Sequence, residues 1–159
     1  MIGAALTLTV RSAAETEALG GRLASVVQPG SIIYLHGELG AGKTTLVRGF
    51  LRALGVESTV RSPTYTLIEP YRTQRFAVYH CDLYRLRDPQ ELEDVGIRDH
   101  FDGEAVCLVE WPERGAGHLP ANGDLFIALS RTQAPGERTV EVSAYSEAGA
   151  IMLAALSSD

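Results

Sequence analysis

"SIIYLHGELGAGKTTLVRGFLRAL", residues 31–54, decides how this chain folds. Residues 31–36 form a short, nearly continuous apolar run, as in strands covered on both faces of a parallel sheet. From Lys43 onward the apolar residues fall at helical spacing. Leu46, Val47, Phe50, Leu51 and Leu54 share one face, and Gly55 is placed for the C-terminal cap. Between strand and helix, Gly37, Gly42, Lys43 and Thr44 satisfy G-x-x-x-x-G-K-[ST]. The order strand, glycine-rich turn, helix separates a phosphate-binding loop from a chance match.

Glycines let the backbone bend around an anion and bring its N–H groups close. The following helix N-terminus adds partial positive charge, typically ~0.3–1 kcal/mol at an exposed site. A full charge about 4 Å from a phosphate oxygen contributes ~4 kcal/mol at an effective dielectric of about 20. Lys43 is therefore the largest single term. It is also the one lysine among fourteen basic residues, the other thirteen being arginine. A compact ammonium can touch two phosphates, whereas arginine's planar fork favours one bidentate partner. Gly37, Glu38, Leu39, Gly40, Ala41, Gly42, Lys43, Thr44 and Thr45 are thus the candidate residues for binding ATP. Thr44 is read as a Mg2+ ligand and Thr45 as a contact to the alpha phosphate.

Working outward, residues 5–10 read as a strand, and Ser12 and Glu15 stand at capping-box spacing before a helix to about Val27. "YTLIEPY" and "RFAVYHCD" read as an antiparallel hairpin turning near Thr73 and Gln74. "DPQELEDVG" is a short helix with Asp88 at its N-cap, and "AVCLVEW" is a second buried strand. "PERGAGHLPANG" is a loop, "DLFIALS" and "RTVEVSAY" are strands, and a helix over 146–156 closes the chain. No repeat or linker interrupts this α/β pattern, so residues 1–159 are expected to form a single domain.

A phosphate loop needs a carboxylate to hold the magnesium shell or orient water. Glu110 ends the buried strand at the Walker B position, where open α/β sheets bind ligands. Asp82, ending the hairpin, is the second acid. Lys43, Asp82 and Glu110 are the candidate catalytic residues, and Thr44 and Glu110 the candidate metal ligands. His80 is read as a packing residue and Trp111 as core edge. "RSPT" is read as a switch-like loop, with Ser62 and Thr64 offering hydroxyls.

A net charge of −6 argues against gripping free nucleic acid through bulk electrostatics, leaving at most a local patch around Arg72, Arg75, Arg85 and Arg87. Cys81 and Cys107 lie in apolar runs without metal-ligand spacing and read as packed, reduced thiols. No run approaches the ~18 apolar residues of a membrane span. The start alternates Leu with Thr, as a strand does, so a cytoplasmic protein is expected.

"HGELGAGKTTLVRGF" (36–50), "SPTYTLIEPY" (62–71), "YHCDLYRLRDPQELEDVGIRDHF" (79–101) and "CLVEWPE" (107–113) follow in this order. Together they make the chain resemble the bacterial TsaE family, P-loop ATPases of tRNA threonylcarbamoyladenosine biosynthesis. The resemblance runs from about residue 12 to the C-terminus and is strongest over 34–112. It implies a P-loop NTPase-like domain with a central parallel sheet, antiparallel edge strands and flanking helices. It implies ATP and Mg2+, and a partner pair, TsaD and TsaB, which attaches the threonylcarbamoyl group to tRNA adenosine. ATP use by this chain would then reset or activate that complex, and tRNA would be met only through it.

Residue by residue, the resemblance assigns Lys43 and Thr44 to phosphate and magnesium, Glu110 to the Walker B acid and Asp82 to the acid of "DLYR". It assigns Ser62, Pro63 and Thr64 to a switch-like loop, and places Ser12 and Arg138 on the adenine side. Tyr84, Arg85 and Arg87 are read as a docking edge toward the partners. The alternative from the residues alone is a small-molecule kinase, which usually carries an arginine-bearing lid. "PERGAGHLPANG" holds one arginine, which disfavours it. A nucleotide-gated binding module with slow turnover is a third reading.

Overall fold

The two buried runs of the sequence become neighbouring central strands. A computed structural model describes residues 1–63 and 67–158. Thr64 of the expected switch loop, and Tyr65 and Thr66 of the expected hairpin, lie outside the described residues. The strands are β1 (Leu6–Val10), β2 (Ile32–His36), β3 (Ile68–Arg72), β4 (Ala77–Asp82), β5 (Val106–Glu110), β6 (Leu125–Arg131) and β7 (Arg138–Ala144). They form a seven-stranded sheet in the order β1-β7-β6-β2-β5-β4-β3. β2 runs parallel to β5 and β6, and β5 parallel to β4. β3 on one edge, and β7 with β1 on the other, pair antiparallel. This is the expected α/β architecture: a parallel centre with antiparallel edges.

The helices are α1 (Ala13–Val26), α2 (Lys43–Ala53), α3 (Gln90–Asp94) and α4 (Glu147–Ser157). Ser12 caps α1, its Oγ accepting the Glu15 N–H at 3.1 Å. Glu15 returns a bond to the Arg11 N–H, one residue before the capping-box position. α2 ends as expected at Gly55, whose N–H donates to Arg52 O while Val56 N–H donates to Leu51 O, both at 3.0 Å. Asp88 accepts the Gln90 N–H at 3.0 Å at the start of α3.

Alternation along the central strands divides the core into two layers. Ile33, Leu35, Val106 and Leu108 pack with Leu19, Leu23, Leu46, Phe50 and Met152 of α1, α2 and α4. Tyr34 and Val109 face the other way, onto Cys81, Leu83, Leu92 and Ile97 around α3. Both cysteines are free and buried, and burial pushes the Cys107 thiol up to about 12. Such a thiol is a packing group rather than a nucleophile.

α1 and α2 cross with glycine on each side of the contact. A Cβ added at Gly20 would overlap Leu46 O and lie 2.8 Å from Phe50 N. One added at Gly49 would overlap the Glu17 backbone, 2.6 Å from its Cα. α2 carries Lys43 at its first residue, so this crossing sets where the phosphate loop sits. Arg75, of the local basic patch, donates to Ala24 O at 2.7 Å at the end of α1, which ties its guanidinium to the fold. Among the described residues no helix is long and apolar enough to cross a membrane.

Candidate active site

The carboxyl ends of β2, β5 and β4 converge, as ligand sites of open α/β sheets do. Leu35 pairs with Glu110 and Glu110 with Asp82, so the two predicted acids stand side by side on adjacent parallel strands. The glycine-rich loop leaves β2 above them and enters α2 through Gly42 at φ +107, a conformation open to glycine. A cleft of about 570 Å³ lies here, within the range of small-molecule sites. Leu39, Gly40, Ala41, Gly42, Lys43, Thr44 and Thr45 line it, with Ser62, Pro63, Asp82, Glu110, Trp111 and Arg138.

Lys43 is 5% exposed. Its ammonium donates to the carbonyls of Gly37 and, at 3.0 Å, Glu38, and lies 4.4 Å from the centre of the Trp111 ring. Burial pulls its proton affinity down, and Glu110, Asp82 and Glu113 pull it back up. Trp111, read from sequence as core edge, is instead the cover over the lysine. It sits at φ 58, ψ 49, a left-handed conformation unusual for a bulky residue. Tyr84 packs beside it, with Arg114 over both rings.

Thr44 is the hub of the polar cluster. Its Oγ1 lies 2.6 Å from Ser62 Oγ, and 3.0 and 3.3 Å from the two Glu110 carboxylate oxygens. Helix start, switch-like loop and Walker B strand therefore meet at one hydroxyl. Among the described residues no three His, Cys, Asp or Glu side chains form a metal cluster. Hard oxygen donors from hydroxyls and one or two carboxylates suit Mg2+, which completes its shell with water and substrate phosphates.

Asp82 is half-buried and accepts the Tyr84 N–H at 3.0 Å. Burial raises its pKa, with the Glu110 charge adding, against the lowering effect of the Tyr84 N–H and the Ser62 hydroxyl. With the folded value above the unfolded one, its ionisation destabilises the fold as pH rises from the ordinary Asp range through the raised value. Asp82→Asn is therefore expected to raise the unfolding temperature of the nucleotide-free protein at pH 7, a gain that vanishes below about pH 3. Thermal melts across pH check this; a lower melting temperature at pH 7 would contradict it.

Arg138 and Ser12, placed by the resemblance on the adenine side, each make bonds within the protein here. Arg138 lines the cleft, yet its guanidinium donates to Ala41 O at 2.9 Å and Gly40 O at 3.2 Å. Its cross-strand partner Arg131 donates to Leu39 O at 2.9 Å. The pair ties the carbonyls of Leu39, Gly40 and Ala41 to the β6–β7 edge, while the Ala41 N–H donates to Glu38 O within the loop. Arg138→Ala is expected to weaken ATP binding about 10-fold, the loss of one to two charge-assisted bonds at a partly exposed position. Calorimetric titration checks it, with unchanged affinity as the contrary result. Ser12 spends its hydroxyl on the α1 cap, and the neighbours Ala13 and Thr16 are the α1 residues that line the cleft.

His80 is the residue sequence reasoning undervalued. It is fully buried, with Nε2 2.6 Å from Glu110 Oε2. Only its place two residues before Asp82 on an alternating strand hints that it shares the face and direction of that acid.

The family model described as "Threonylcarbamoyl adenosine biosynthesis protein TsaE" matches residues 10–140. The tRNA threonylcarbamoyladenosine biosynthesis protein TsaE of Haemophilus influenzae is 45% identical over 126 residues, spanning 79% of this chain and 78% of its own. That of Treponema pallidum is 37% identical over 134 residues, 84% of this chain and 96% of its own. The crystal structure of YdiB from Bacillus subtilis superposes with a TM-score of 0.84 at 30% identity, covering 99% of this chain and 97% of the other. A phosphate loop, its paired acids and these relatives agree, and the chain belongs to the TsaE family of threonylcarbamoyl adenosine biosynthesis proteins.

Proposed function

We propose that this chain is a cytoplasmic Mg-dependent ATPase needed for threonylcarbamoyl modification of tRNA adenosine. In this reading it acts on a TsaD–TsaB complex rather than transferring the group itself, and meets tRNA only through that complex. The observation that carries the reading is the convergence of Lys43, Thr44 and Glu110 at the mouth of the glycine-rich loop.

The loop N–H groups and the Lys43 ammonium bind and orient the phosphates of ATP. Thr44 and Glu110 would hold Mg2+, with Ser62 and Asp82 beside them. A Mg2+ held by these residues would supply charge neutralisation and Lewis acidity at the phosphates. Glu110 and Asp82 supply carboxylates that orient an attacking water or receive its proton, and Trp111 shields the lysine from bulk solvent. Turnover by the chain alone is slow in this reading, since among the described residues no side chain is singled out as base over the two carboxylates.

Phosphate release from ATP, measured with and without TsaD–TsaB and with Lys43→Ala as control, tests the proposal. Stimulation by the partners that the variant lacks supports it. Equal rates without co-purification would remove the partner role, and phosphoryl transfer to a metabolite would favour a kinase.

A further inference from the structure

Glu110 is a carboxylate almost withdrawn from water, 2% exposed at the end of β5. Such a group is tolerated only with donors around it. Two are on hand. Thr44 Oγ1 also contacts Ser62, and it is the hydroxyl that a metal would engage. The other is His80 Nε2 at 2.6 Å, on a ring fixed in the core by the β4 ladder to both neighbouring strands. His80 pairs with Leu108 across β4–β5, so its side chain lies one pleat before Asp82 and reaches Glu110 diagonally.

The opposite ring nitrogen defines the hydrogen-bond sense. His80 Nδ1 is buried and has no hydrogen-bond partner among the described residues. A proton there would be an unmatched buried donor, which proteins avoid more strictly than an unmatched lone pair. The proton therefore sits on Nε2 and is donated to Glu110 Oε2. A ring donating through one nitrogen to a carboxylate that holds a metal is a recurrent arrangement for aiming that carboxylate.

We infer that His80 is a positioning residue of the ATPase site: as an Nε2–H donor it pins Glu110 Oε2, which fixes the carboxylate plane and leaves Oε1 for the metal shell or the attacking water. The inference rests on the reading of Glu110 as the acid of a nucleotide-hydrolysing site. It assigns His80 no contact with ATP. Ground-state ATP binding should therefore be indifferent to it, while the chemical step is not.

The test combines metal-free NMR with kinetics. Two-bond nitrogen–proton correlations on nucleotide-free, metal-free protein are expected to show a proton on His80 Nε2, assigned by its loss in His80→Gln. A neutral ring with its proton on Nδ1 and a bare Nε2 facing Glu110 would overturn the inference. In partner-stimulated phosphate release, His80→Leu is expected to lower kcat about 10–100-fold, with little change in KM for ATP or in ATP affinity measured in EDTA. His80→Gln, which keeps a donor near the same point, is expected to recover most of that loss.

A His80→Leu protein that melts like wild type and keeps wild-type kcat would refute the positioning role. Equal loss in the Leu and Gln variants would refute it too, because packing rather than the donor would then be responsible. If wild type releases no phosphate with or without partners, the hydrolytic reading fails, and the His80–Glu110 assignment is decided by the NMR alone.

Discussion

Lys43→Ala is expected to lower the ATP turnover proposed for this chain by about 10²–10³-fold, through loss of a full charge worth ~3–4 kcal/mol near phosphate. The loop amides and helix N-terminus remain, so residual nucleotide binding survives. Lys43→Arg is impaired as well. The ammonium sits between the Gly37 and Glu38 carbonyls and under the Trp111 ring, 5% exposed, which leaves little room for a planar guanidinium.

Stability should move the other way. Burial depresses the Lys43 pKa, so wherever the buried ammonium stays protonated the fold carries the cost of that charge. That cost fades only as pH rises through the depressed value. Lys43→Met is thus expected to melt at or above the wild-type temperature while failing to turn over ATP. A variant that loses activity and melts earlier would point to unfolding instead, and wild-type turnover in Lys43→Arg would overturn the shape argument.

The second large effect concerns the helix crossing. Gly49→Ala gains up to ~1 kcal/mol of helix propensity. It also drives a methyl into the Glu17 backbone, where no flexible side chain can give way. Overpacking of this kind costs ~1–3 kcal/mol or more, and a clash with main chain falls at the upper end. The net expectation is about 2 kcal/mol of destabilisation, a fall of ~4–8 °C in melting temperature for a domain of this size. Gly20→Ala should behave alike, against Leu46 O and Phe50 N.

Gly21→Ala is the control. Its new Cβ would meet Ala53 Cβ at 3.6 Å, an ordinary contact, so propensity alone acts and the protein gains stability. Differential scanning calorimetry of the three variants decides the matter, and a wild-type melt for Gly49→Ala would refute it. Because α2 begins at Lys43, Gly49→Ala should also weaken ATP binding, although residue 49 lies away from the cleft.

Features written within a dozen residues of one another were legible in the sequence. The phosphate loop, the Ser12 cap, the Gly55 stop and the hairpin turning near Thr73 all rest on local backbone chemistry. Glu110 was found because a buried strand has a definable carboxyl end. The remaining parts of the site depend on register between distant segments. Arg138 meets Gly40 and Ala41 only because β7 and β6 fold back beside β2. His80 meets Glu110 because β4 and β5 run parallel in one particular register. The left-handed backbone of Trp111 has no residue-type signature, since glycine is what such a position ordinarily selects. Gly20 and Gly49 carry no local turn or cap signal, and only the α1–α2 crossing shows why they lack a side chain.

A chain whose one lysine is buried in the lining of its glycine-loop cleft has an unusual chemical simplicity. Amine-directed reagents find a single side-chain amine on it, Lys43, besides the free amino terminus of whatever chain is prepared. Acylation at the terminus records exposure to reagent, and acylation at Lys43 records how often the cleft opens far enough to admit it. The ratio of the two, read by mass spectrometry, is an internally calibrated measure of occupancy that needs no label and no mutation. The same scarcity makes amine-reactive cross-linkers nearly blind to whatever docks on this surface, so carboxylate- or arginine-directed reagents are the ones to map a partner.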